Sequence, residues 1–267
     1  MPLNSVPATV NVPALKYERL FAAQNAFMDI GFWGGVVPGD KQDLRPLHDD
    51  GVFGFRCFLL HSGVDEFLHL EADEMAEALA EIKTFNSLLI VLAEEIPNGA
   101  TAFKCCPPVR EVSTREMLWG GLLDGTIDFI VSDHSPSTLD LKDLGNGDFG
   151  VAWGGVSSLQ LGLSLIWTEA RRRGVGLGRV LQWMSMRPAE RVGLRSKGRL
   201  SLGYDADMAV FAQDERFVVN AKALNHKNPI TPYQGKVLSG KVRRTFVGGR
   251  EVDYETPAGR LIPHGQV

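Results

Sequence analysis

Cysteine is scarce in this chain: Cys57, Cys105 and Cys106 are the only three among 267 residues. An odd number without CxxC spacing points to neither a disulfide framework nor a zinc knuckle. No apolar run approaches the ~20 residues of a membrane span, and the start lacks the zones of a signal peptide. A cytoplasmic location is the expectation that follows. Positive charge is not in excess either. The formal net charge is −4, which leaves no basic footprint for nucleic acid.

What is present fits a globular domain, with 44% hydrophobic and 22% charged residues. Glycine, at 29 of 267 residues, exceeds the usual ~7% and suits many tight strand–helix turns. Leu70–Lys83 places Met75, Leu79 and Ile82 at helical spacing, with acids on the other face. Asp73 or Glu71 near its start suits the N-terminal dipole. Leu177–Met186 predicts a second helix, ended by Pro188. Arg171–Arg172–Arg173 follows the helix-like Leu159–Ala170 and precedes Gly174, which suits a helix C-terminus rather than an anion site. Cys57 sits in an apolar strand and is expected in the core. His61 and His69 fall in a loop and suit the surface. After Gly198 come short β-like runs, Met208–Phe211, Phe217–Val219 and Val242–Val247, separated by Gly, Asp and Pro.

The stretch richest in chemistry is Ser132–Asp133–His134–Ser135–Pro136, which ends the apolar run Ile127–Val131 with an acid. Such a run predicts a buried parallel strand, and in a barrel of alternating strands and helices the residues just past its end carry the chemistry. Asp133 there can bind a metal through one oxygen and take a proton from metal-bound water through the other. The alternative is that Asp133 caps a helical turn after Pro136.

Several co-linear blocks accompany it: Met1–Pro2–Leu3–Asn4–Ser5, Gly31–Phe32–Trp33–Gly34–Gly35, Phe103–Lys104–Cys105–Cys106–Pro107–Pro108, Ala152–Trp153–Gly154–Gly155, Gly203–Tyr204–Asp205–Ala206–Asp207 and Asn228–Pro229–Ile230–Thr231–Pro232–Tyr233. Together they resemble the allantoinases, which are cyclic amidohydrolases alongside dihydropyrimidinase and dihydroorotase. The resemblance implies a metal-dependent (β/α) barrel that opens a cyclic amide or ureide such as allantoin, in purine catabolism. It implies a binuclear centre, usually zinc, held by an HxH pair, a carboxylated lysine, two later histidines and an aspartate. Asp133 matches that aspartate as catalytic and metal-binding residue. Cys106 and His134 match substrate-facing positions. A rigid turn forced by Pro107–Pro108 is the other reading of the Cys106 segment, and His134 could equally orient Asp133 or be structural.

Departures from the family pattern are severe. None of the six histidines (His48, His61, His69, His134, His226, His264) stands two residues from another. The chain begins at a block that lies on the second strand in the family. At the lysine position stands Arg56, whose guanidinium stays protonated and cannot form a carbamate. Leu92–Ala93–Glu94 stands where His-Ala-Glu is expected, and the segment with both later histidines is not found. A catalytic zinc typically needs three protein ligands.

The expectation is therefore an α/β fold. It comprises an incomplete amidohydrolase-type barrel over residues 1–195, shorter than the ~250 residues of a full barrel, and a partial β-sandwich over 196–267. Hydrolysis is expected to be lost or strongly impaired, as in a pseudoenzyme, and zinc binding with it. A non-catalytic remnant that binds a related ring, or pairs with an intact homologue, is the alternative, and a decayed reading frame the third. Open barrel edges favour a homo-oligomer or an association-prone chain.

Overall fold

The computed structural model describes residues 5, 7–58, 65–90, 101–104, 112–142, 144–148 and 151–264. His61, Cys105, Cys106 and the Leu92–Ala93–Glu94 segment lie outside them. The chain groups into two units: Met1–Leu92, Ala189–Met208 and Phe246–Val267 form one, Ala93–Pro188 and Ala209–Thr245 the other. Each unit draws stretches from both sides of residue 195.

The first unit alternates helix and strand. α1 (Val12–Asn25) begins where the Asn11 side chain accepts the Ala14 N–H at 3.0 Å. β1 (Gly34–Gly35), α2 (Lys41–Asp49), β2 (Phe55–Arg56), α3 (Ala72–Thr84) and β3 (Leu89–Ile90) follow. The three strands are parallel in the order β1-β2-β3, with Gly34 opposite Phe55 and Arg56 opposite Ile90. Helical crossovers are what parallel neighbours require. Leu15, Phe32, Leu44, Leu47, Phe55, Cys57 and Ile82 are buried together against this sheet, so Cys57 is a core residue. In α3, Ile82 is buried and Met75 packs beside it, but Leu79 points to solvent and Ala78 takes the inward place. Glu74 in the first turn accepts the Glu71 N–H at 2.8 Å, tying off one donor at the positive helix end.

In the second unit α4 (Val112–Asp124) and α5 (Gly162–Arg172) share a core of Trp119, Leu122, Trp167, Ala170, Val180 and Trp183. Arg173 just past α5 pairs both carboxylate oxygens of Glu116 at 2.7 Å and lies over the Trp119 ring. The arginine run thus ends a helix and also pins α4. α6 (Leu177–Leu181) passes into a π-turn, Gln182–Met186, and then α7 (Arg187–Arg191). Pro188 therefore does not end the helix, as expected from the sequence, but sits in its continuation. The widened turn gives the proline ring room that an α-turn would deny it against the carbonyl four residues back.

Toward the C-terminus, β4 (Met208–Val218), β5 (Val237–Val247) and β6 (Arg250–Glu251) form a three-stranded sheet in that order. The two β-like runs at 208–211 and 217–219 merge into one strand through the polar stretch Gln213–Arg216. Glu215 there meets Arg243 of β5 at 2.6 Å, so the charges sit on the solvent face of a continuous ladder. β5 and β6 are antiparallel across Gly248–Gly249, both at positive φ, the backbone a two-residue hairpin demands. Within the second unit, Ser164 and Trp167 of α5 donate to the carbonyls of Gly240 and Gln213 on these strands at 2.6 and 2.8 Å. Among the described residues this region, where a partial sandwich was expected, holds one three-stranded sheet. No helix among them is long and apolar enough to cross a membrane.

Candidate functional site around Asp133

Ile127–Val131 is not a buried parallel strand. Among the described residues it joins no ladder; its Ile130 N–H donates to the Trp183 carbonyl at 2.9 Å, and Val131 is 50% exposed. No described strand flanks the run, so its edges find partners in a turn. Asp133 follows with φ +44°, a left-handed conformation that costs a non-glycine residue on the order of 1 kcal/mol or more and gathers at functional sites. No helix starts there: the next helical turn is Asp140–Lys142, which removes the capping role.

The backbone after Asp133 is clamped from several sides. Ser135 donates its Oγ–H to the Asp133 carbonyl at 3.0 Å, its N–H to the Val156 carbonyl at 3.0 Å, and accepts the Val156 N–H at 3.1 Å. Ser158 donates its hydroxyl to the Ser132 carbonyl at 3.1 Å. Gly155 passes so close that a Cβ on it would overlap the Ser135 carbonyl, and its φ is +119°. Only glycine fits such an approach. Lys142, 3% exposed, donates its ammonium to the carbonyls of Trp153, at 3.1 Å, and Gly155. Lys104 reaches the Ala152 carbonyl at 2.6 Å. The Trp153–Ser158 segment is thereby fixed beside Asp133.

His134 occupies the centre. Its Nδ1 accepts the N–H groups of Ser158 and Leu159, both at 3.1 Å, capping the turn Leu159–Leu161 that leads into α5. An Nδ1 that accepts twice carries no proton, so the neutral ring holds its hydrogen on Nε2. A metal ligating through Nε2 would need the opposite tautomer, and His134 does not suit that role. Beside it, 5.2 Å between ring centroids, lies His226. Both ring nitrogens of His226 are buried and meet no hydrogen-bond partner among the described residues. Each buried polar atom left in that state costs roughly 1–3 kcal/mol. Burial holds both imidazoles below the ordinary histidine range, and the neighbouring ring lowers His134 further. Two bonds carry His226 to this place. Thr231 donates its hydroxyl to the Ser157 carbonyl at 2.7 Å, and the Asn225 N–H meets Gln160 Oε1 at 2.7 Å.

The structure thus brings His134 and His226 together next to Asp133 in sequence. It leaves Arg56 in the other unit, at the end of β2, 1% exposed with its guanidinium over the Phe58 ring. Sequence reasoning passed over His226 and Lys142. The only signal for His226 was its position just ahead of the Asn228–Tyr233 block. One further acidic group stands in the first unit. Carboxylate oxygens of Asp29, Asp205 and Asp207 lie within 4.8 Å of one another, but the Lys197 ammonium already stands among them, 2.7 Å from Asp29 and 3.0 Å from Asp205. Arg260 adds bonds to Asp29 at 2.9 Å and Asp205 at 2.8 Å. Burial works against ionisation of Asp29, but the hydrogen bonds from Arg260 and Lys197 outweigh it and hold its carboxyl at about 2. The cluster is an ion-pair clasp, not an open metal site.

In the first unit parallel strands alternate with helices, which is the arrangement of an α/β fold. Residues 54–252 match the amidohydrolase family, and the chain belongs to it. Within that family it is allantoinase-like. It is 41% identical to an allantoinase of Streptomyces avermitilis, over 98% of this chain and 78% of the relative. It is 31% identical to an allantoinase of Saccharomyces cerevisiae, over 100% of this chain and 76% of the relative. The first of these alignments spans 350 positions for a chain of 267 residues, so a long internal stretch of the relative has no counterpart here. Among solved structures, an L-hydantoinase from Arthrobacter aurescens superposes with a TM-score of 0.84 at 22% identity, over 99% of this chain and 78% of that one. That likeness is one of fold.

Proposed function

We propose that this chain is an allantoinase-type cyclic amidohydrolase by descent that binds a cyclic ureide such as allantoin but does not hydrolyse it. The observation that carries the reading is Arg56. It is sealed in the core at the end of β2, where the family resemblance implies a carboxylated lysine between two metals. A guanidinium has no neutral amine to add carbon dioxide and brings a fixed positive charge to the place of an anionic bridge. Other donors do not make up the loss. Among the described residues, His134 commits Nδ1 to backbone N–H groups, the three clustered aspartates hold Lys197, and Asp133 is the one position that matches a family ligand. A binuclear zinc centre does not fit this set. The division into a barrel portion, 1–195, and a sandwich portion, 196–267, the place in allantoin degradation and an association-prone state belong to the same proposal. Exposed Tyr17, Leu20 and Phe21 on α1 support the last of these.

Zinc content by plasma mass spectrometry and NMR of allantoin ring opening test the central claim. Sub-stoichiometric zinc and no turnover are expected, and Arg56→Lys with bicarbonate and zinc should not restore hydrolysis. Two tightly bound metals per chain, or turnover abolished by Asp133→Asn, would overturn it.

A further inference from the structure

His226 has the surroundings of a ligand contact. Its two ring nitrogens are buried without a partner among the described residues, although the backbone on either side is tied down by the Asn225–Gln160 and Thr231–Ser157 bonds. A side chain held this firmly with its polar atoms unanswered fits a group that arrives from outside. Next to it, His134 is locked with the proton on Nε2, because Nδ1 accepts two backbone N–H groups. No described residue meets that Nε2. The two rings therefore offer a fixed donor, and beside it a neutral imidazole with one donor and one acceptor nitrogen.

We propose that His226 and the Nε2–H of His134 form a polar pair that recognises the ring amide of a cyclic ureide. A ring forces the amide to be cis, so its N–H and C=O point to the same side. His134 donates to the carbonyl oxygen, and the unprotonated nitrogen of His226 accepts the adjacent N–H. The pair neither carries out bond cleavage nor requires a metal. This inference rests on the ring-binding reading above and assigns its recognition element.

Calorimetry on the full chain with hydantoin and with allantoin as probes, beside a thermal melt, tests it. Wild type should bind one or both, and His226→Phe should bind at least tenfold more weakly with a melting temperature unchanged or raised, since it removes an unanswered buried imidazole. His226→Gln, which keeps one donor and one acceptor, should recover part of the affinity. Unchanged binding in His226→Phe would overturn this inference alone. So would a melting temperature lowered by several degrees in that variant, which would make His226 a structural residue. Failure of wild type to bind either probe would overturn the ring-binding reading, and the inference with it.

Discussion

Around Lys197, three carboxylates gather on one ammonium and the Arg260 guanidinium pairs with two of them, whereas at His226 two buried nitrogens meet no partner among the described residues. Both clusters join stretches far apart in sequence. The first spends its polar groups on each other and so closes Asp29, the Lys197–Asp207 stretch and Arg260 into one piece. The second holds its backbone with neighbouring bonds and leaves the His226 ring nitrogens uncommitted. Full pairing suits a cluster that maintains the fold, and the open ring nitrogens of His226 are what the proposed ligand would engage.

The comparison is broken most directly at Lys197, 11% exposed at its side chain with Asp29 at 7%. Lys197→Met removes the ammonium shared by the three carboxylates and leaves Arg260 on two of them, and should lower unfolding free energy in urea by about 3 kcal/mol or more. Asp29 also sets a pH signature. Its folded value of about 2 lies below the ordinary 3.8. A depressed carboxyl contributes stability that is complete above the unfolded value and is lost as pH falls through the folded one. Wild-type stability should therefore fall between about pH 4 and pH 2, and Lys197→Met should flatten that fall.

Next in size is Gly155→Ala, which sets a methyl against the Ser135 carbonyl at a φ foreign to alanine. A loss of about 2–4 kcal/mol is expected from that combination, together with weakened ureide binding in the same calorimetric measurement. Equal binding in a folded Gly155→Ala protein would separate the Asp133 loop from the recognition pair.

Asp40 stands between the two extremes, a buried carboxylate that accepts the Val37 N–H at 2.9 Å. Burial and the nearby Asp43 push its carboxyl up to about 7. A raised folded value contributes stability below the unfolded pKa that is lost as pH rises through the folded one. Asp40→Asn keeps the acceptor and drops the titration. It should exceed wild type by on the order of 2 kcal/mol at pH 8, with the gap closing below about pH 4, as read by thermal melts across pH. The smallest effect belongs to Arg171→Ala, since the pair with Asp214 at 3.1 Å is open to solvent. Its melting temperature should match wild type at moderate salt.

Legibility in the sequence followed the kind of information each feature needs. The burial of Cys57 and the helix α3 were legible because apolar spacing specifies them. Ile127–Val131 carries the same apolar signature, but a strand also needs neighbours, and composition does not say whether they exist. Pro188 signalled a helix end, and the π-turn that absorbs it has no marker of its own. Asp133 stood out as an acid after an apolar run. His226 did not, because its distinction is a lack of hydrogen-bond partners among the described residues, which exists only once residues 157–160 and 225–231 are folded together.

Pro188 has an effect beyond the bend it is accommodated in. In a π-turn the N–H of residue 188 would claim the carbonyl of Trp183, five positions back, as the Arg187 N–H claims that of Gln182. Proline has no such hydrogen, so the Trp183 carbonyl stays open and takes the Ile130 N–H instead. One missing proton on a helix thus becomes the anchor for the run that delivers Asp133. Any other residue at 188 would enter a competition for a single lone pair, with the path of the Asp133 loop as the stake.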